Sequence, residues 1–358
     1  MGTHAARRCP RSENIAAALG LLGHPACPEV TVGRTWKRDG VEGRELFWSV
    51  DDGPHTEAWL LRPAGEDGDL PGVLLLHGHD GVKFHGKEKV ADGPDGIADG
   101  IADLRRRGYD GLCVADGLVR AGFAVLVHDV FGWGSRRVAW EDLPSRAVAA
   151  GFDAVPRGRE SDSDRRRRYE AAAREHEHGL AKIAVLTGTS LAGRALVEDL
   201  VALSVLRDRS GVDAARVGVS GFSVGGARGC HLLACAPGLV RGGVITASMS
   251  TFADIAKGHA DDTSWWMVTP GLPAVCDWPD LLTVAPTRVL VQFAQFDAHF
   301  GEAGMREAES VLRSARTSVP CSDSAWYPEP HRFSAAMQAD AASWLSAVVA
   351  PHALDSGL

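Results

Sequence analysis

Short apolar runs rich in Val, Leu and Ile recur along the chain, separated by longer stretches in which apolar residues return every third or fourth position. The short runs are ELFWSV (45–50), EAWLLRP (57–63), GVLLLH (72–77), FAVLVHDV (123–130), RVGVSGF (216–222), GGVITAS (242–248) and TRVLVQFA (287–294), with a weaker one at DSAWYP (323–328). Each predicts a strand, and the first two are placed as an antiparallel pair. The later runs are continuous rather than alternating, the pattern of strands buried on both faces of a parallel sheet. Leu196, Leu200, Leu203 and Leu206 form a helical stripe, and FSAAMQADAASWLSAVVA (333–350) predicts a closing helix. Strands alternating with helices predict an α/β fold, with a mostly parallel eight-stranded sheet flanked by helices.

The spacing of these runs divides the chain into an N-terminal helical extension (1–44), one domain (45–350) and a tail (351–358). Segments 83–120, 136–190 and 252–283 read as insertions, the last two as helical lids over the sheet's ligand-binding edge. Asp92, Asp95, Asp99 and Asp103 are dense enough to suggest calcium, but their spacing fits no EF-hand loop. Capped helices and polar turns are expected there.

Composition adds limits. Among 358 residues, 45% are apolar and the formal charge is −8, so no nucleic-acid footprint is expected. The locally basic DRRRRYEAAAREHEHG (164–179) reads as a solvated helix face. The seven cysteines have neither CxxC nor metal-ligand spacing, which predicts packed thiols and a cytoplasmic location. No apolar run approaches the ~20 residues that span a bilayer. The N-terminus loosely mimics a signal peptide, but Ser12, Glu13 and Asn14 interrupt its apolar stretch. The expectation is a chain without cofactor, metal, nucleic acid or membrane, and compatible with a homo-oligomer.

The candidate chemistry lies where strands end. In RVGVSGFSVGGARG (216–229), Ser223 follows a strand and precedes a helix, with Gly221 and Gly225 in the flanking positions of G-x-S-x-G. A tight turn that holds a serine outward needs such small neighbours. A serine hydroxyl needs a base, and the base an orienting acid. In chain order acid then histidine should follow. Asp297, just past the strand 287–294, is the acid; Asp277, Asp280, Glu302 and Glu307 lie in helix-like or lid-like segments. Among His299, His331 and His352, the first is too close to Asp297 and the last lies in the tail, which leaves His331 as the base. Activity should fall as that base becomes protonated. The oxyanion donors are expected to be the backbone N–H groups of Val224 and, from LLLHGHDGVKFHGKEK (74–89), of His79. His77, His79, Asp80 and His85 in that loop are an alternative metal cluster, weighed as the lesser reading. Trp133, Phe222, Trp265 and Trp266 are candidate substrate contacts; for the tryptophans the alternative is anchoring to the core. Arg136 and Arg137 suit either a substrate carboxylate or surface ion pairs.

With these blocks in place, the sequence resembles the α/β-hydrolase superfamily, and within it the dienelactone-hydrolase-like and acetyl-xylan-esterase-like bacterial branch. The likeness rests on the 74–89 loop, VLVHDVFGWGSRR (125–137), the helix and elbow block 188–226, and the acid block 265–300. The resemblance implies an α/β-hydrolase fold and hydrolysis of a carboxylic ester, acetyl ester or lactone through an acyl-enzyme. It implies Ser223 as nucleophile, His331 as base and Asp297 as orienter. Two departures stand out. The nucleophile is serine where many dienelactone hydrolases have cysteine. Asp80 stands beside the oxyanion loop where relatives often have a small residue, so it should point away or pair with Lys83 or Lys87. The alternatives are an acyltransferase, cyclase or bond-cleaving tailoring enzyme of secondary metabolism using the same residues, and a non-catalytic binding protein on this fold.

Overall fold

A computed structural model of the protein describes residues 10–21, 23–51, 53–315 and 322–351. His352 and nearly all of the tail lie outside the described residues. Nine strands form one sheet: β1 (Thr31–Arg38), β2 (Val41–Trp48), β3 (Thr56–Pro63), β4 (Leu70–Leu76), β5 (Ala124–His128), β6 (Val212–Phe222), β7 (Gly242–Thr246), β8 (Arg288–Ala294) and β9 (Ser322–Tyr327). Their order is β1-β2-β3-β5-β4-β6-β7-β8-β9. The pairs β1–β2, β2–β3 and β3–β5 are antiparallel; from β5 through β4 to β9 every pair is parallel.

The eight expected strands are all present. The ninth, β1, corrects the reading of 1–44 as a helical extension: among the described residues of that segment only α1 (Ser12–Ala18) is helical. The strand escaped because its residues TVGRTWKR are nearly all exposed on the sheet edge, so no apolar alternation marks it. The buried strands carry the opposite signature. All five residues of β5 and of β7 are buried, as a sheet covered on both faces requires.

Helices α2 (Ile101–Gly108) and α3 (Val114–Arg120) follow β4. Then come α4 (Ser145–Ala154), α5 (Asp162–Leu186), α6 (Leu191–Arg207), α7 (Val224–Cys235), the short α8 (Phe252–Asp254) and α9 (Leu272–Val275), α10 (Glu302–Ala315) and α11 (Ala335–Val348). The sheet separates two apolar layers. One holds α1, α6, α7 and α10; the other holds α2, α3 and α11. Segment 83–120 is therefore less an insertion than the crossover between β4 and β5, with α3 packed on both β3 and β5. Segment 136–190 contains the hairpin of α4 and α5, which packs around Leu143, Ala147, Tyr169 and Ala172. Among the described residues no single helix is long and apolar enough to cross a membrane.

The four aspartates of 92–103 are engaged by arginines. Asp92 pairs with Arg105 at 2.7 Å, Asp95 with Arg34 at 3.0 Å, Asp99 with Arg166 at 3.5 Å, and Asp103 with Arg106.

Candidate active site

Strand β6 runs apolar and buried to Phe222 and then turns sharply into α7. Ser223 occupies the turn with φ +57° and ψ −126°, a conformation that side-chain-bearing residues rarely adopt. Its N–H donates to Thr246 O at 3.0 Å. The flanking glycines make the turn feasible. A Cβ on Gly221 would lie 2.2 Å from Gly225 O, and one on Gly225 would lie 2.1 Å from Leu76 O. Helix α7 thus sits directly against both its own strand and the end of β4.

Two loops at the same sheet edge bring the partners. Parallel pairing of β8 and β9 continues past the strands through Gln295 N–H to Tyr327 O (2.8 Å) and Phe296 N–H to Glu329 O (2.9 Å). This tethers the loop of Asp297 to that of His331. His331 Nδ1 lies 2.6 Å from Asp297 Oδ2, and His331 Nε2 lies 2.9 Å from Ser223 Oγ. With Nδ1–H donating to the carboxylate, Nε2 is left to accept the serine proton. The other oxygen, Asp297 Oδ1, accepts from His299 N–H at 2.8 Å. The carboxylate has no exposed side-chain surface, while the imidazole keeps 19% of its own. The carboxylate is shielded from water and the imidazole is reachable.

No protein-family model matches the chain. Over 219 residues it is 24% identical to YtaP of Bacillus subtilis (strain 168), a provisionally named hydrolase. That match covers 61% of this chain and 57% of the relative, so little more than half of the curated relative's length is represented. Among solved structures, a provisionally named acetyl xylan esterase from Bacteroides fragilis NCTC 9343 superposes with a TM-score of 0.64 at 15% identity, covering 88% of this chain and 74% of that one. A glucuronoyl esterase from Solibacter usitatus gives 0.63 at 12% identity, covering 96% and 92%. The chain has the α/β-hydrolase fold. Ser223, Asp297 and His331 stand past the ends of β6, β8 and β9 at one edge of that sheet.

The loop after β4 lies against the elbow: a Cβ on Gly78 would be 3.1 Å from Phe222 O. Burial depresses the His79 imidazole, which keeps it neutral. Its Nδ1 accepts from Gly81 N–H at 3.1 Å, so Nε2–H donates to Glu177 at 3.1 Å. The side chain is anchored to α5, and only the His79 backbone is free to act as a donor. Val224 N–H belongs to the first turn of α7, where a helix leaves its amides unpaired. Asp80 has φ +56°. Of the two arrangements expected from sequence, pointing away or pairing with Lys83 or Lys87, the pairing is not seen among the described residues: Asp80 accepts from Tyr109 Oη at 3.0 Å and faces Lys89 at 3.6 Å. Lys83 instead meets Glu177 at 2.5 Å. Lys87 meets Asp129 at 2.8 Å. His77 Nδ1 bonds Gly78 O, whereas His79 turns to Glu177.

Three of the four candidate substrate contacts are packing residues. Trp133 and Trp266 have no exposed surface and pack on each other with centroids 4.4 Å apart. Lys83 Nζ lies 3.6 Å above the Trp133 ring. Phe222 is buried, stacked on Phe333 and 4.9 Å from the His331 ring, so it packs against the imidazole. Trp265 alone is open, at 40% exposure, and its indole N–H donates to His178 Nδ1 at 2.9 Å. Arg136 is buried and paired with Glu198 at 2.9 Å and Asp51 at 3.1 Å, the ion-pair alternative.

Sequence reasoning set His299 aside as too near Asp297. Its ring packs edge-on against His331 with centroids 4.3 Å apart, and its Nδ1 bonds Asp262 O at 3.1 Å. It links the 252–283 segment to His331. No sequence signal distinguished it, because two residues of separation say nothing about a contact 32 residues further on.

Proposed function

We propose that the protein is a carboxylic ester hydrolase that works through a serine acyl-enzyme. The observation that carries this reading is the continuous relay from Ser223 Oγ through His331 to the shielded Asp297. In the first half-reaction His331 Nε2 takes the Ser223 proton as Oγ attacks the carbonyl carbon. The tetrahedral oxyanion is stabilised by the N–H groups of Val224 and His79. Collapse breaks the bond to the leaving alcohol, which receives the proton from His331. In the second half-reaction His331 takes a proton from water, the resulting attack releases the acid, and Ser223 recovers its proton. Asp297 holds the imidazole in the tautomer both halves require. The substrate class we favour is a small-molecule or carbohydrate ester, since the superposable acetyl xylan and glucuronoyl esterases carry such names. A fluorophosphonate probe should label the wild type and leave Ser223→Ala unlabelled; labelling that persists in the variant would refute the assignment.

A further inference from the structure

Lys89 has no exposed surface and takes no part in the Ser223–His331–Asp297 relay. Its ammonium donates to three carbonyls of one loop: Gly78 O at 2.5 Å, His79 O at 3.2 Å and Val82 O at 3.3 Å. An ammonium has three protons, so these carbonyls saturate it. Asp80 Oδ2, at 3.6 Å, supplies the counter-charge from the same loop. A trans peptide is planar and its C=O and N–H point in opposite directions. Drawing the Gly78 carbonyl onto Lys89 therefore points the His79 N–H in the opposite direction, away from the ammonium. Gly78 itself lies against the elbow at Phe222 O.

We infer that Lys89 is a positioning residue, whose ammonium gathers the loop carbonyls and thereby aims the His79 N–H at the developing oxyanion. This rests on the ester-hydrolase reading above. It also accounts for an aspartate beside an oxyanion loop: Asp80 is directed inward, toward the buried cation and the Tyr109 hydroxyl.

The arrangement has a pH signature. Burial pulls the Lys89 ammonium down to about 8, against Asp80 and Glu170 of α5, which raise it, while Lys83 and Arg228 of α7 add to the lowering. His77 and His79 also face it, and the face of Trp133 lies 5.4 Å away. Loss of the proton removes the charge and one of three donors, so turnover should fall as pH rises through about 8.

The test compares wild type with Lys89→Met, which keeps the length of the side chain without its donors, using p-nitrophenyl acetate. The expected result is a kcat lower by about 10²–10³-fold, as for loss of an oxyanion donor, with KM within about threefold. Fluorophosphonate labelling should slow in parallel. The wild-type alkaline fall in kcat should be missing from the variant, which a merely structural role would not produce. Should Lys89→Met fail to fold, the wild-type profile decides alone: a kcat that stays level from pH 7 to 10 overturns the inference. So does a folded Lys89→Met with kcat within about threefold of wild type. An unlabelled, inactive wild type would instead overturn the ester-hydrolase reading, and this inference with it.

Discussion

Arg228 is one turn into the elbow helix and is buried together with its partners. Its guanidinium meets Asp199 of α6 twice, Nη2 to Oδ1 at 2.6 Å and Nε to Oδ2 at 3.0 Å, and Nη1 donates to His77 O at 3.0 Å. His128 Nε2 adds a contact of 3.1 Å to Asp199. Both charged side chains have at most 1% of their surface exposed. Arg228→Met keeps much of the apolar stem but leaves the carboxylate of Asp199 buried with His128 alone. Removing one member of a buried pair costs about 3–5 kcal/mol, because the remaining charge has lost its solvation twice over. Unfolding entropy scales at about 2.1 cal/mol/K per residue, so for this chain ~4 kcal/mol corresponds to a Tm lower by ~5 °C. The assay is urea unfolding followed by tryptophan fluorescence, together with Asp199→Leu and the double variant. Asp199→Leu should cost a similar amount. The double variant removes both charges and should recover most of the loss, leaving ~1 kcal/mol for the unpaired His77 carbonyl. The coupling energy, the sum of the single losses less that of the double variant, is then about 7 kcal/mol. A single variant within ~1 kcal/mol of wild type, or a double variant whose loss equals the sum of the singles, would refute the reasoning.

Other outcomes follow from the same geometry. Asp297→Asn should preserve the fold and lower kcat by about 10³–10⁴-fold, because the amide stabilises the wrong imidazole tautomer; kcat within tenfold of wild type, in steady-state hydrolysis of an activated ester, would contradict the orienting role. His231 on α7 is buried, which pulls its imidazole down to about 4 against the opposing pull of Asp199. The folded state therefore favours the neutral ring. Its contribution is complete above the unfolded value of ~6.5 and declines as pH falls from there toward 4. Between pH 7.5 and 5 that decline is about 2 kcal/mol, and His231→Leu should flatten the stability profile by this amount in denaturant titrations at the two pH values. An unchanged slope would show that the ring is not a proton-linked element of stability.

Much of the site was legible along the chain because its determinants are local. Gly221, Ser223 and Gly225 announce a tight strand-to-helix turn, since the excluded Cβ positions involve backbone a few residues away or one neighbouring strand. Asp297 and His331 were found because each follows a recognisable strand, and strand ends in a parallel sheet share one edge. The continuous apolar runs had the same transparency: total burial of a strand leaves nothing polar to interrupt it. β1 had no such pattern, being an exposed edge.

Contacts between distant segments carried no comparable signal. Nothing in KFHGKEK shows that Lys83 reaches Glu177, Lys87 reaches Asp129 and Lys89 reaches three carbonyls. Nor does composition separate Trp133 and Trp266, sealed in the core, from Trp265, left open above it. The amino-acid sequence by itself determined the α/β layering, the strained serine turn and the order of its partners, because those depend on periodicity, glycine and strand ends. The tertiary structure alone decided which buried charges meet, where Asp80 turns and which tryptophans remain accessible. Those outcomes depend on side chains from separate layers converging on a few cubic ångströms, where burial makes every unpaired charge costly and so selects one set of partners.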